Sequence, residues 1–192
     1  HPNHHPAQLS RTSHTAWTLA DTVFEDGPYL KENIETTTMT LSATTGSVNV
    51  TASAVTGIND GAGFVSTDVG RDIRIGHIAT KWAASTSYSV DNIVRNVDNT
   101  YICVKAGTSD SSGGPSTEGD EIADNSAMWK FQAPGGMQWG YALINSITST
   151  TIVACTVQAT FGGTSGETSW RLGAWYGGSY PATVAFYEQR LF

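Results

Sequence analysis

The sequence predicts an all-β protein: a small β-barrel or sandwich, with a small three-stranded β module inserted into it and an extended N-terminal arm. Three observations carry this expectation. Charged residues make up only 14% of the 192, against a usual quarter, and 45 Ser and Thr with 20 Gly stand in their place. Thr suits half-buried strands and Gly suits tight turns. Short alternations of apolar and polar residues recur between turn signals, the spacing of sandwiches and small barrels. No stretch carries the Ala, Glu, Lys and Leu of a helical bundle or coiled coil at helical period.

The arm is placed at residues 1–35. His1-Pro2-Asn3-His4-His5-Pro6 cannot start a helix; its three His invite a metal reading, but no Asp, Glu or Cys stands beside them, so an exposed arm or interface strand is expected. Trp17, Phe24 and Tyr29 then recur as large apolar anchors in a segment with little periodicity. Such residues pin an arm onto another domain or subunit.

The barrel is expected from residues 36–79 together with 134–160. Residues 38–42 and 47–52 alternate with period two around a Thr45-Gly46 turn, which reads as a hairpin. Asn59 to Gly63 is a loop, and Asp68-Val69-Gly70-Arg71 is a turn leading into a strand with Ile73 and Ile75 on one face. Residues 139–147 and 151–157 form a second hairpin turning at Thr148-Ser149-Thr150. Residues 80–133 differ in texture, with four well-spaced aromatics and a polar loop, Ser111-Ser112-Gly113-Gly114-Pro115-Ser116, that cannot hold regular structure. They read as a small domain inserted into a barrel loop, where insertions are tolerated. Residues 161–192 read as a flexible loop (161–169), then C-terminal strands around Trp170 and Trp175 that lead into the rest of a longer chain. A start at His1 and an apolar run, 182–186, close to Phe192 suggest a piece of a longer polypeptide.

Composition argues against several functions. The net charge is -7 with ten Lys and Arg, which disfavours a grip on nucleic acid through phosphate neutralisation. No apolar run approaches the roughly 20 residues of a membrane span, so no membrane insertion is expected, and no leader peptide is visible. Cys103 and Cys155 have no CxxC and no ligand cluster. They are expected to be buried thiols or a single pair, not a disulfide framework.

No residue set reads as an enzyme. Every His but His77 lies within the first 14 residues, and no GxSxG elbow is present. Asp110, Glu118, Asp120, Glu121 and Asp124 gather in the inserted segment. A solvated acidic loop is expected; weak calcium binding by Asp120, Glu121 and Asp124 is the alternative, without the spacing of an EF-hand. No metal and no cofactor are implied. Trp82, Tyr88, Tyr101 and Trp129 have two readings: a platform that stacks on sugar rings, or the core of a domain too small to fill its interior otherwise.

Three stretches resemble known families. Lys81-Trp82, residues 88–94 from Tyr88, Tyr101-Ile102-Cys103-Val104, Gly113-Gly114-Pro115 and Trp129-Lys130 resemble a small chitin- or cellulose-binding module of bacterial chitinases. That resemblance implies carbohydrate binding by Trp82, Tyr88, Tyr101 and Trp129. It departs at Gly113 and Gly114, where the pattern has an aromatic before the Pro. Residues 65–75, with the Asp-Val-Gly-Arg turn, and 139–144 resemble a small β-barrel repeated in phage structural proteins. The stretches from His1 to Arg11, His14 to Leu19 and Phe24 to Leu30, with Trp170 to Trp175 and Tyr180 to Leu191, are similar to the tail nozzle (tail tubular B-like) proteins of short-tailed phages.

The nozzle resemblance implies a virion protein of the phage tail, assembled in the host cytoplasm. It implies a homo-hexameric ring beneath portal and adaptor, contacts to other tail proteins including tail fibres, and DNA passing through the lumen without specific binding. Trp17, Phe24, Tyr29, Trp170 and Trp175 are then expected as assembly and packing anchors, and the outward insertion as a possible contact to host-surface glycan. The alternative is a carbohydrate-binding accessory module of a secreted glycan-degrading enzyme.

Overall fold

The computed structural model describes residues 6–22 and 24–177, Tyr180, and the backbone of 186–187 and 190–191. The His cluster at 1–5 and most of the C-terminal stretch after Tyr180 lie outside the described residues. The fold is all-β, with 47% of residues in strands and no helix of seven or more residues.

Strands β1 (Ala7–Arg11) and β2 (Trp17–Asp21) form a separate antiparallel hairpin. The arm expected to lack periodicity therefore contains a ribbon. The central sheet is built from β3 (Met39–Leu41), β4 (Ser47–Ala52), β5 (Asp72–Ile78), β12 (Met137–Ser149), β13 (Ile152–Ala159) and β14 (Trp170–Leu172). Its order is β14-β5-β12-β13-β4-β3, antiparallel at every pairing, and it curls into a half-barrel. The residue pattern explains the curl and the core. In β4, Val48, Val50 and Ala52 point inward while Ser47, Asn49 and Thr51 face out. Ile73 and Ile75 of β5, Ala142 and Ile144 of β12, and Val153 and Cys155 of β13 join them, closed by Ile58, Phe64, Phe161, Trp170 and Leu172. Each large side chain so buried contributes about 1.5–3 kcal/mol. The long β12 pairs with both β5 and β13, and its register against β13 shifts three times, at Tyr141/Ala142, Ile144/Ser146 and Ile147/Ser149. Such bulges add local twist and bend a sheet. Gly140 lets Phe161 close over the bend: a Cβ there would lie 2.6 Å from the Phe161 ring.

The Asp68-Val69-Gly70-Arg71 turn is held by a buried ion pair. Arg71 Nη1 donates to Asp68 Oδ1 at 2.8 Å and to Asn59 Oδ1 at 3.0 Å, and Arg71 Nε donates to the Gly173 carbonyl. Asp68 Oδ2 accepts from Asn59 Nδ2 and from the Val65 amide. Both charged side chains are fully buried. One clamp thus ties the 59–68 loop, the start of β5 and the segment after β14. Removing one partner of such a pair costs about 3–5 kcal/mol.

Between β5 and β12 lie the remaining strands of the body: β6 (Ser87–Tyr88), β7 (Ile93–Asn96), β8 (Asn99–Lys105), β9 (Gly107–Thr108), β10 (Ile122–Asp124) and β11 (Ala127–Pro134). They form a four-stranded sheet, β10-β11-β8-β7, and a β6-β9 ribbon, more strands than the three-stranded pattern the sequence suggested. The β7–β8 turn places Val97 and Asp98 both at positive φ, the geometry that matches hairpin twist. The segment is fastened at its neck: the Ala79 amide donates to Gly136 O and Thr100 Oγ1 to Met137 O. A β15 (Phe186–Tyr187) to β16 (Arg190–Leu191) pairing follows at the C-terminal side.

Candidate functional site

The four aromatics expected to meet sugar lie together, but in a core. Trp129 on β11 and Tyr101 on β8 are fully buried with Val94 and Cys103, and Trp82, Tyr88, Ile122 and Phe131 pack against them half-covered. Tyr88 meets Trp129 edge-on at 4.8 Å between ring centroids. A stacking platform needs an exposed ring face, so Trp129 and Tyr101 are corrected from sugar contacts to core residues. Trp82 and Tyr88 keep partial exposure, yet both are tied down. Gly114, at φ +70°, rests on the Trp82 indole, where a Cβ would come within 2.7 Å of the ring. The Tyr88 hydroxyl accepts from the Ala83 amide at 2.8 Å.

Asp124 organises this cluster. One carboxylate oxygen, Oδ2, accepts the indole N–H of both Trp82 and Trp129, each at 2.8 Å, and Oδ1 accepts the Asp110 amide at 2.8 Å. Asp124 is buried, and three N–H donors satisfy its carboxyl oxygens. Its oxygens are therefore occupied in packing rather than offered to a cation, and among the described residues no group of three His, Cys, Asp or Glu is placed to hold a metal ion. Asp120 instead pairs with Lys130 at 2.9 Å on the surface. The two cysteines are free, buried and in different cores; burial pushes the Cys155 thiol up to about 12.

The proposed anchors divide. Residues 28–33 run beside β14: Leu30 N–H donates to Leu172 O, Asn33 N–H to Trp170 O and Ala174 N–H to Pro28 O, and Tyr29 bridges to Gly173. Trp170 is buried and donates to Thr37 O at 2.9 Å. Phe24 meets Trp175 edge-on at 4.4 Å. Phe24, Tyr29, Trp170 and Trp175 thus fasten the arm to the barrel within one chain. Trp17 does not: it is 55% exposed, and its ring contact is Arg11 of its own hairpin, 5.5 Å away.

Where the arm crosses the sheet it leaves a cavity of about 590 Å³, lined by Phe24, Glu25, Asp72, Tyr141 and Trp175 among others. Beside it Tyr29 donates to Asp26 Oδ1 at 2.9 Å, and Arg74 lies 3.6 Å from the same oxygen. The Arg74 guanidinium sits over Tyr29 and Trp139, and Arg171 also sits over Trp139 while pairing with Glu32 at 2.8 Å. Burial, then the nearby Asp26 charge, pushes the Asp72 carboxyl up to about 6. Burial also raises the Tyr29 phenol, helped by its bond to Asp26, and burial raises Tyr141. No motif in the sequence singles out this group. Its one visible signal was the outward placing of Asp72 and Arg74 between inward Ile73 and Ile75. The cavity brings acids and phenols together. His77, the single histidine beyond the first 14 residues, is buried against Phe161, Gly162 and Gly163; burial lowers its pKa, opposed by the Glu167 charge and the Ser165 backbone.

No protein-family model matches the chain, and no curated protein matches it in sequence.

Proposed function

We propose that this chain is a structural domain of a phage tail, of the nozzle kind, acting by packing and assembly rather than by catalysis. The observation that carries the reading is the β1–β2 hairpin. It sets Leu9, Trp17 and Leu19 in solvent, whereas the other aromatics named above are engaged inside the chain. Apolar surface gathered on a projecting ribbon is what a subunit offers to a neighbour. A second support is charge: a chain of net charge -7 would repel a passing duplex and let it slide. The ring of six, the adaptor, portal and tail-fibre contacts and the virion location belong to this proposal. The inserted strands serve it as a packed outward unit, and a host-glycan contact would have to use Trp82 and Tyr88 edges rather than a platform.

Antibody against the chain, applied to purified phage particles that encode it, tests this. The reading expects decoration of the tail at a ring position. Detection as a free secreted monomer, with particles unlabelled, would overturn it.

A further inference from the structure

The central sheet leaves β14 and β3 as its two edges, and residues 161–169 bridge the gap between them. Phe161 N–H donates to Thr44 O and Leu41 N–H to Thr164 O, Met39 and Glu167 exchange both backbone bonds, and Gly76 N–H on β5 donates to Ser169 O. This strap closes the half-barrel by backbone bonds alone, and Thr164, Ser165 and Gly166 are exposed along it. A segment held mainly by hydrogen bonds near solvent opens at lower free energy than a packed core.

An ionisable side chain lies beneath the strap. Alternation along β5 puts Ile73, Ile75 and His77 on the inward face. His77 is 2% exposed, and both ring nitrogens are shut off from solvent. The strap lies flush on the ring. A Cβ on Gly162 would come within 2.9 Å of the His77 Cβ, and one on Gly163 within 3.1 Å of the ring carbon Cδ2. Two residues without side chains permit this approach, and Phe161 meets the imidazole edge-on at 6.5 Å between ring centroids.

The groups around the imidazole decide what a proton does there. Gln138, opposite it on β12, is neutral. Arg74, and Arg171 opposite Arg74 on β14, lie on the other face of the sheet. From the strap come the Ser165 backbone and the Glu167 charge, and Glu167 Oε1 already accepts from Ser165 Oγ at 2.9 Å. Burial outweighs both and pushes the ring below its ordinary 6.5. A proton therefore binds better once the strap lifts and water reaches the ring. We propose that His77 is an acid-sensitive latch: a proton on its ring releases residues 161–169 from β3 and opens the half-barrel at that seam. This goes beyond the assembly reading above and does not depend on it.

Amide hydrogen exchange, corrected for intrinsic rates and followed between about pH 7.5 and about pH 5, tests it, with the His77 ring signal read by NMR in the same samples. The amides of Met39, Leu41, Gly76 and Glu167 should lose protection as pH falls below 6.5, by up to about tenfold per pH unit for one proton. Amides paired between β12 and β13 should hold theirs. His77→Leu, apolar like Ile73 and Ile75, should keep the four strap amides protected at every pH. Glu167→Gln removes a charge that favours the proton and should deepen the loss. Strap amides indifferent to pH overturn the proposal. An acid loss that persists in His77→Leu, or vanishes in Glu167→Gln, assigns the switch to another group and also overturns it. If His77→Leu does not fold, the wild-type chain still decides: a His77 ring that takes up its proton while the four amides stay protected overturns the latch.

Discussion

The inserted strands and the N-terminal hairpin use the same kind of residue in opposite ways. In the insertion, Trp129 and Tyr101 are fully buried and two indoles share one carboxylate. In the hairpin, Trp17 lies on an open face beside Leu9 and Leu19. The difference lies in how many strands surround the aromatic. Four strands and a ribbon enclose a small core, and with few other apolar residues the aromatics must fill it. Two strands enclose nothing. An aromatic on a β-strand is thus a core residue or an exposed one according to the sheet around it.

The sharpest way to break that contrast is to truncate the buried partner. Trp129→Ala should destabilise the chain by about 3–5 kcal/mol, read as a lower denaturant midpoint. If the loss is under about 1 kcal/mol, the insertion's core is not where the structure puts it. Asp124→Ala leaves two indole donors and one amide without their acceptor, and should cost on the order of 3 kcal/mol. Its calorimetric trace should show the loss, with both indoles reporting a changed environment in fluorescence; an unchanged trace would remove Asp124 from its organising place.

A gentler test concerns the acids under the arm. The folded Asp72 carboxyl titrates at about 6, above its ordinary 3.8. An acid whose folded pKa is raised binds its proton more tightly in the folded state. Its contribution is therefore fully present below pH 3.8 and is lost as pH rises through about 6. Asp72→Asn should be more stable than the wild type at pH 7 to 8 and equal to it near the acid end of that window. Stability curves that run parallel at every pH would place Asp72 in ordinary solvent. The smallest expected effect is Trp17→Ala, within about 0.5 kcal/mol of the wild type in the dilute chain; a larger loss by chemical denaturation would mean that the hairpin packs on its own body.

Much of the barrel was legible because its strands are covered on one side. Ser47 to Ala52 alternates cleanly since Val48, Val50 and Ala52 have a core to face, and the β12–β13 hairpin was readable for the same reason. The β1–β2 hairpin was not, since with both faces in solvent its alternation rests on Leu9, Trp17 and Leu19 alone. The fate of the four insertion aromatics was also illegible. Tyr101-Ile102-Cys103 shows that one face is buried but not which aromatics join it, and Asp124 meets Trp82 across 42 residues of chain. The acidic group at Asp26 and Asp72 escaped notice likewise, since only the fold brings the arm over β5.

The central claim is that Trp129 is interior while Trp17 stands in solvent. Fluorine NMR of the chain labelled with fluorotryptophan, recorded in H2O and in D2O, tests it most directly. The account predicts a clear solvent isotope shift for the Trp17 resonance and none for Trp129. A Trp17 signal without that shift, or a Trp129 signal that responds to solvent in the folded chain, would contradict it.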